Sequence, residues 1–210
     1  MQHGRLATTA ALLGDPSRAA MVLALMDGRS RTAKKLALDA GVTPQTASAH
    51  LRKLVAADLL VCQENGREKY FRLAGHDVAQ AVEALSEVCV RPLAATAREL
   101  RFARCCYDHL AGRLGVRVTE RLLQRQNDLL AKLGIDLSAL EPSRRPLFRC
   151  CTDWTERRPH VAGALGAALL RQYFQLGWLH RVKESRKLVV TPRGREMFVR
   201  AVGIEDAFFA

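Results

Sequence analysis

Aromatic residues are scarce in this 210-residue chain, at 6%, and nowhere do they alternate with basic residues along a strand-like stretch. Binding of single-stranded RNA by base stacking usually needs such interleaving. No apolar run approaches the roughly 18 residues required to span a bilayer. The segment at Met1 also lacks the basic start, apolar run and small-residue cleavage site of a secretory leader. These absences point to a cytoplasmic protein with no membrane partner. Six cysteines, unevenly placed and without a Cys-x-x-Cys pair, are too few for a secreted disulfide framework and read as reduced thiols. No glycine-rich phosphate loop is present.

Acidic residues are the minority charge. Asp plus Glu number 21 against 33 Lys plus Arg, a formal charge of +12, and the pI is near 10.0. Such an excess points to a polyanionic partner, with nucleic acid first. It is unevenly spread: residues 1–100 carry 13 basic and 10 acidic residues, and residues 101–210 carry 20 and 11. With 49% hydrophobic and 26% charged residues the chain is an ordinary globular one, and its length allows two small domains.

The first hundred residues read as short helices separated by explicit stop and start signals. An apolar Leu6–Leu13 stretch ends at Gly14-Asp15-Pro16, where Asp15 is a good N-cap and Pro16 a good first helical residue. Met21, Val22, Leu25 and Met26 recur at helical spacing before Gly28. Thr32 caps a helix over Ala33–Ala40, Gly41 ends it, and Thr43-Pro44 opens another bearing Ala47, Leu51, Leu54 and Val55. Two short helices joined by a glycine-containing turn have the form of a helix-turn-helix. Strands at Leu59–Gln63 and Lys69–Leu73 flank Asn65-Gly66, a strong hairpin signal, so a wing follows. A helix from about Asp77 to Val90 places Val78, Val82, Leu85 and Val88 on one face, and Pro92 marks a break.

Residues 6–90 resemble the ArsR family of bacterial winged-helix repressors. The matching stretches are Leu13-Gly14-Asp15-Pro16-Ser17-Arg18, Thr43-Pro44-Gln45-Thr46-Ala47-Ser48-Ala49-His50-Leu51, and Gly66-Arg67 with Tyr70. The resemblance implies a homodimer built on the first and last helices. It also implies one recognition helix in each of two adjacent major grooves of a palindromic operator, and repression relieved by a small effector. The cysteine-rich sensor motifs of metal-responsive relatives are absent, since Lys34-Lys35-Leu36-Ala37, Lys53 and Ala57 occupy their places. No carboxylate/histidine pair stands out between Asp77 and Val90.

A recognition helix reads base edges with short polar side chains near its N-terminus and holds phosphates with flanking cations. Thr43, Gln45, Thr46 and Ser48 supply the first, with Gln45 suited to adenine. Arg52, Lys53 and, in the wing, Arg67 and Lys69 supply the second. His50 belongs to this face or satisfies a buried carbonyl.

Residues 101–210 contain an internal echo. His109-Leu110-Ala111-Gly112-Arg113-Leu114-Gly115 matches His160-Val161-Ala162-Gly163-Ala164-Leu165-Gly166 at an offset of 51. Cys105-Cys106 and Cys150-Cys151 precede the two copies, and Gly134-Ile135-Asp136 and Gly203-Ile204-Glu205 follow them. Trp178 to about Arg195 reads as an inserted second wing. The expected architecture is therefore mainly α with small β-hairpin wings. A winged helix-turn-helix with dimerisation helices occupies residues 1–100. A helical effector domain occupies 101–210, with repeats 101–137 and 146–206 packed about a pseudo-two-fold axis. The alternative for the second half is a helical platform that only widens the dimer.

Cys62 and Cys89 read as small core hydrophobes. Cys105, Cys106, Cys150 and Cys151, with His109 and His160 and with Asp108 and Asp153 nearby, read as an effector site. No cofactor is required for the fold, and a thiophilic metal ion or an oxidant is the candidate effector. Arg101, Arg104, Arg149, Arg157 and Arg158 would lower the thiol pKa values. The arginines from Arg144 to Arg158 would otherwise bind an anion or form ordinary surface pairs. Competing readings are core cysteines, a thiol-dependent enzyme built on Cys105 or Cys106 with His109 and Asp108, or an RNA- or protein-interaction module.

Overall fold

A computed structural model of the chain describes residues 2–66, 68–89, 95–140 and 145–210; the side chains of residues 2–5, 87, 89, 95–97 and 125–127 are also outside the description. Arg67, Pro92 and Arg144, and the side chain of Cys89, therefore lie outside the described residues. The chain divides into two units, residues 1–82 and 83–210, with the division falling inside one helix.

The first unit runs α1 (Gln2–Leu13), α2 (Pro16–Ala24), β1 (Arg31–Thr32), α3 (Ala33–Asp39), α4 (Pro44–Ala56), β2 (Leu60–Asn65) and β3 (Glu68–Leu73), and enters α5 (His76–Cys89). Each helix start is made by the residue that the sequence marks for it. The Asp15 carboxylate accepts from the Arg18 N–H at 2.9 Å, Thr32 from Lys35 at 3.3 Å, and Thr43 from Thr46 at 3.2 Å. These caps satisfy N–H groups that a first helical turn leaves unpaired. Helices α2, α3 and α4 pack on one another, burying Met21, Leu25, Met26, Leu36, Leu51 and Leu54. Each such side chain contributes about 1.5–3 kcal/mol on leaving water.

The antiparallel sheet has the order β1-β3-β2. Asn65 pairs with Glu68, so Asn65 belongs to the strand and not to the Asn65-Gly66 turn expected from sequence. Gly66 takes φ +62° at the first connecting position, a conformation that costs glycine little. Cys62 also departs from expectation: it is exposed on β2, where only Leu60 is buried. On α5, Val82 is buried as expected, but Leu85 and Val88 are 50% and 83% exposed.

The second unit contains the rest of α5, α6 (Ala95–Arg101), β4 (Arg104–Cys106), β5 (His109–Ala111), α7 (Arg113–Lys132), β6 (Arg149–Thr152), β7 (Pro159–Ala162), α8 (Gly163–Gln175), β8 (Leu179–Arg181), β9 (Leu188–Val190) and α9 (Pro192–Met197). Its repeated element is a hairpin followed by a helix: β4-β5-α7, then β6-β7-α8. The echoed motif thus straddles a strand end and a helix start and is not helical throughout. Gly112 and Gly163 take φ +83° and +80° at matching positions. A Cβ on Gly115 would lie 2.5 Å from the Leu110 carbonyl oxygen, and one on Gly166 would lie 2.6 Å from that of Val161. The Leu114 N–H donates to Phe102 O at 2.9 Å, and that of Leu165 to Leu147 O at 3.0 Å.

The copies pack crosswise. Helix α7 packs on β7 and α8 on β5, with β5 beside β7, so Leu110 and Val161 enter one shared core. The inserted hairpin β8-β9 leads to α9, whose Thr191 hydroxyl caps the Gly194 N–H at 2.8 Å. Tyr173, Trp178 and Phe198 close that end of the core with ring centroids 5.0–5.4 Å apart.

Candidate functional site

Helix α4 is amphipathic by construction. Ala47, Leu51 and Leu54 are buried, whereas Gln45, Thr46, Ser48, Arg52 and Lys53 are exposed. Gln45, Ser48 and Arg52 follow i, i+3, i+7 spacing and share a face. Thr43 is exposed but committed to the cap, its hydroxyl also bonding that of Thr46 at 2.9 Å. Ser48 Oγ donates to the Pro44 carbonyl at 2.8 Å. Gln45 is therefore the long polar side chain of the first turn, with Arg52 and Lys53 as cations further along. In the wing, Lys69 is held 3.0 Å from Glu64.

His50 is half-buried beside this face. Its Nδ1 lies 3.2 Å from Arg18 Nη1 and 4.0 Å from Asp15, so it braces α4 against the cap of α2. No buried carbonyl is among these contacts.

In the second unit, the cysteine pairs lie on strands, where neighbouring side chains point to opposite faces. Each pair is therefore split. Cys106 and Cys151 point inward with His109 and His160, and one ligand atom from each of the four lies within 4.8 Å of every other. Cys105 faces the core, its Sγ donating to Tyr107 O at 3.1 Å, and Cys150 is exposed. Cys106 is paired across its hairpin with His109, and Cys151 with His160. The crosswise packing then brings the two histidines face to face, Nε2 to Nε2 at 3.2 Å. All four residues are at most 5% exposed.

The far side of each imidazole meets a carboxylate. His109 Nδ1 is 3.3 Å from Asp108 Oδ1, and His160 Nδ1 is 3.5 Å from Asp153 Oδ2. Asp108 is itself held by Arg145. Burial opposes its charge, but hydrogen bonds from His109 and Arg145 prevail and hold its pKa at about 2. Asp153 accepts from the Gly112 N–H at 2.6 Å and from Thr155, and pairs with Arg104 at 3.0 Å. Arg104 is fully buried and also meets Glu83 at 2.9 Å, which in turn takes Arg186 at 2.9 Å. Burial again opposes the charge on Glu83, and Arg186 and Arg104 outweigh it, leaving its pKa at about 2.

This buried network was invisible to sequence reasoning, which assigned Arg104 the task of activating thiols. The guanidinium is spent on Glu83 and Asp153. Burial pushes Cys105 up to about 12, and the hydrogen bond to Cys151, followed by burial, raises Cys106 well above its usual value. Burial and the neighbouring His109 take His160 down to about 3. The other expected arginines disperse: Arg101 pairs with Glu156 and Arg158 with Glu120, while Arg104 also lies over the Trp154 ring at 4.8 Å. No helix among the described residues is long and apolar enough to cross a membrane.

Residues 13–63 match the family model of a helix-turn-helix domain. Along almost its whole length the chain is 38% identical to the uncharacterized HTH-type transcriptional regulator YdfF of Bacillus subtilis, over 95% of this chain and 98% of that one. Solved structures similar to part of the chain include the homodimeric winged helix-turn-helix DNA-binding domain (fragment 1–100) of Mb0332 from Mycobacterium bovis, a possible ArsR-family regulator. It is 30% identical, with TM-score 0.37, over 41% of this chain and 79% of that one. The cadmium sensor CMTR of Mycobacterium tuberculosis is 31% identical, with TM-score 0.35, over 42% and 97%. The chain belongs to the HTH-type transcriptional regulators. It is a DNA-binding regulator with a winged helix-turn-helix and a second, hairpin-and-helix unit.

Proposed function

We propose that the protein is a homodimeric repressor of its own or a neighbouring operon, acting in the cytoplasm, and that a small effector sensed in the second half relieves repression. The assignment gives DNA binding and dimerisation to residues 1–100 and effector response to residues 101–210. The observation that carries it is the exposed face of α4, with Gln45, Thr46 and Ser48 near its N-terminus and Arg52 and Lys53 behind them. That is the order in which a recognition helix needs base readers and phosphate holders. Dimerisation is supported by apolar residues left uncovered on the helices that the ArsR resemblance assigns to the interface: Leu6 on α1, and Leu85 and Val88 on α5. An effector role for the second half is supported by the convergence of thiols and imidazoles at its centre.

A thiol-dependent enzyme fits less well. Cys106, His109 and Asp108 do approach one another, but the thiol is buried and held protonated, where a nucleophile needs access and a thiolate. Footprinting on the protein's own promoter, with total RNA as competitor and sedimentation to read the assembly, tests the proposal. Two protected half-sites about one DNA turn apart are expected. A monomer that binds DNA tightly, or a preference for RNA, would refute it.

A further inference from the structure

We infer that Cys106, His109, Cys151 and His160 form a closed four-coordinate site for a divalent cation of the zinc class, one per chain. The inference deepens the effector reading above and rests on it only for the regulatory consequence.

Geometry is the first support. Zinc binds imidazole nitrogen at about 2.0–2.1 Å and thiolate sulfur at about 2.3 Å, so a tetrahedral two-sulfur, two-nitrogen site has edges of about 3.3–3.8 Å. The two Nε2 atoms are 3.2 Å apart, and all four ligand atoms fit inside 4.8 Å. They come from the facing strands of two hairpins, so the site needs no rearrangement of the backbone.

Orientation of the imidazoles is the second. Each ring turns Nε2 to the centre of the quartet and Nδ1 toward a carboxylate, Asp108 at 3.3 Å and Asp153 at 3.5 Å. A cation on both Nε2 lone pairs leaves each Nδ1 proton to face its carboxylate. Carboxylates behind metal-bound histidines commonly serve this purpose.

Charge selects the class of cation. Glu83 with Arg186, Asp153 with Arg104, and Asp108 with Arg145 already balance one another. A dication with two thiolates is neutral and leaves that balance intact. Binding releases the Cys106 and Cys151 thiol protons to solvent, M²⁺ plus two thiols giving the dithiolate complex and two H⁺. A trivalent metalloid would want three thiolates, and Cys105 and Cys150 point elsewhere. A monovalent soft cation would leave a net negative charge buried. Mixed sulfur and nitrogen ligands in a tetrahedron favour zinc or its cobalt(II) surrogate.

The test uses full-length protein kept reduced, stripped with a chelator, and titrated with cobalt(II) and then zinc. One cobalt per chain is expected, with the visible bands of tetrahedral geometry and near-ultraviolet thiolate absorption, all bleached by one equivalent of zinc. Cys106→Ser and Cys151→Ser should each abolish the thiolate absorption or weaken binding at least tenfold, and Cys150→Ser should leave both unchanged. Asp108→Asn should weaken binding by roughly 10–100-fold with ligands intact. Should a serine variant fail to fold, alkylation of the wild type in mild denaturant, with and without zinc, decides: zinc should slow the reaction of Cys106 and Cys151 and leave that of Cys62 and Cys150 unchanged. Absent tetrahedral bands in folded, reduced protein, bands that survive both serine variants, or a Cys106–Cys151 disulfide as the only change at the site would overturn the inference. Operator affinity measured with and without bound zinc separates the two readings. Metal held at the quartet with unchanged affinity keeps the site and refutes the sensing role.

Discussion

His109 and His160 occupy equivalent positions in the two copies of the repeat and meet Nε2 to Nε2 at 3.2 Å. Their cross-strand partners, Cys106 and Cys151, are brought to the same point. The repeat thus brings two thiols and two imidazoles together from a single cross-strand pairing used twice.

The recognition helix makes the first prediction. Gln45→Ala should relax sequence preference on α4 while leaving affinity for random DNA almost unchanged. Arg52→Ala should weaken binding to all sequences and lower the salt slope by roughly one unit. Selection of binding sites from a random pool, and affinity against salt concentration, read the two effects. Unaltered preference in the Gln45 variant would mean that another face of the unit reads the bases.

Thr43→Ala removes the α4 cap and should cost about 1 kcal/mol of stability, read by urea denaturation. Operator affinity should fall as well, because the hydroxyl also positions Thr46.

Glu83 sits between two buried guanidinium groups. Glu83→Ala should destabilise the protein by about 3–5 kcal/mol, because Arg104 and Arg186 lose a buried partner. A loss under 1 kcal/mol in the urea midpoint analysis would mean that water or another carboxylate replaces it.

The same residue sets an acid limit. The Glu83 pKa is lowered from 4.5 to about 2, so its contribution is full above about pH 4.5 and is lost as pH falls toward 2. Unfolding free energy should drop across that window in the wild type and drop less steeply in Glu83→Gln.

Gly115 and Gly166 should behave alike. A Cβ at either would press on a carbonyl of its own copy at 2.5–2.6 Å, so each change to Ala should cost about 1–3 kcal/mol. Gly134→Ala meets nothing within 4 Å and tests only its φ of +64°. Unequal costs at positions 115 and 166 would show that the two copies differ in packing despite their matching backbone.

The winged helix was legible because its punctuation is local. Asp15, Thr32 and Thr43 cap the helices they precede, and each bond spans three residues. The repeat was legible as a pattern, but its structure was not. Strands such as β4 and β5 are three residues long, too short for alternation to register, so Cys105 and Cys106 could not be assigned to opposite faces. Cys62 misled for another reason: β2 runs out of the core after Leu60, so the face that Cys62 shares with Leu60 has nothing over it among the described residues. Leu85 and Val88 fit a helical stripe, yet a stripe does not say what covers it. The Arg104–Glu83–Asp153 network joins residues 21 and 49 positions apart, and no local signal links them.

The crosswise packing of α7 on β7 and α8 on β5 makes the two halves dependent on each other. Each helix also touches its own hairpin, but it packs more heavily on its sister's, so one half alone would expose the side of the hairpin that its sister shelters. Two such segments kept apart could bury those sides only by meeting as separate molecules. Joined in one chain they meet without that search.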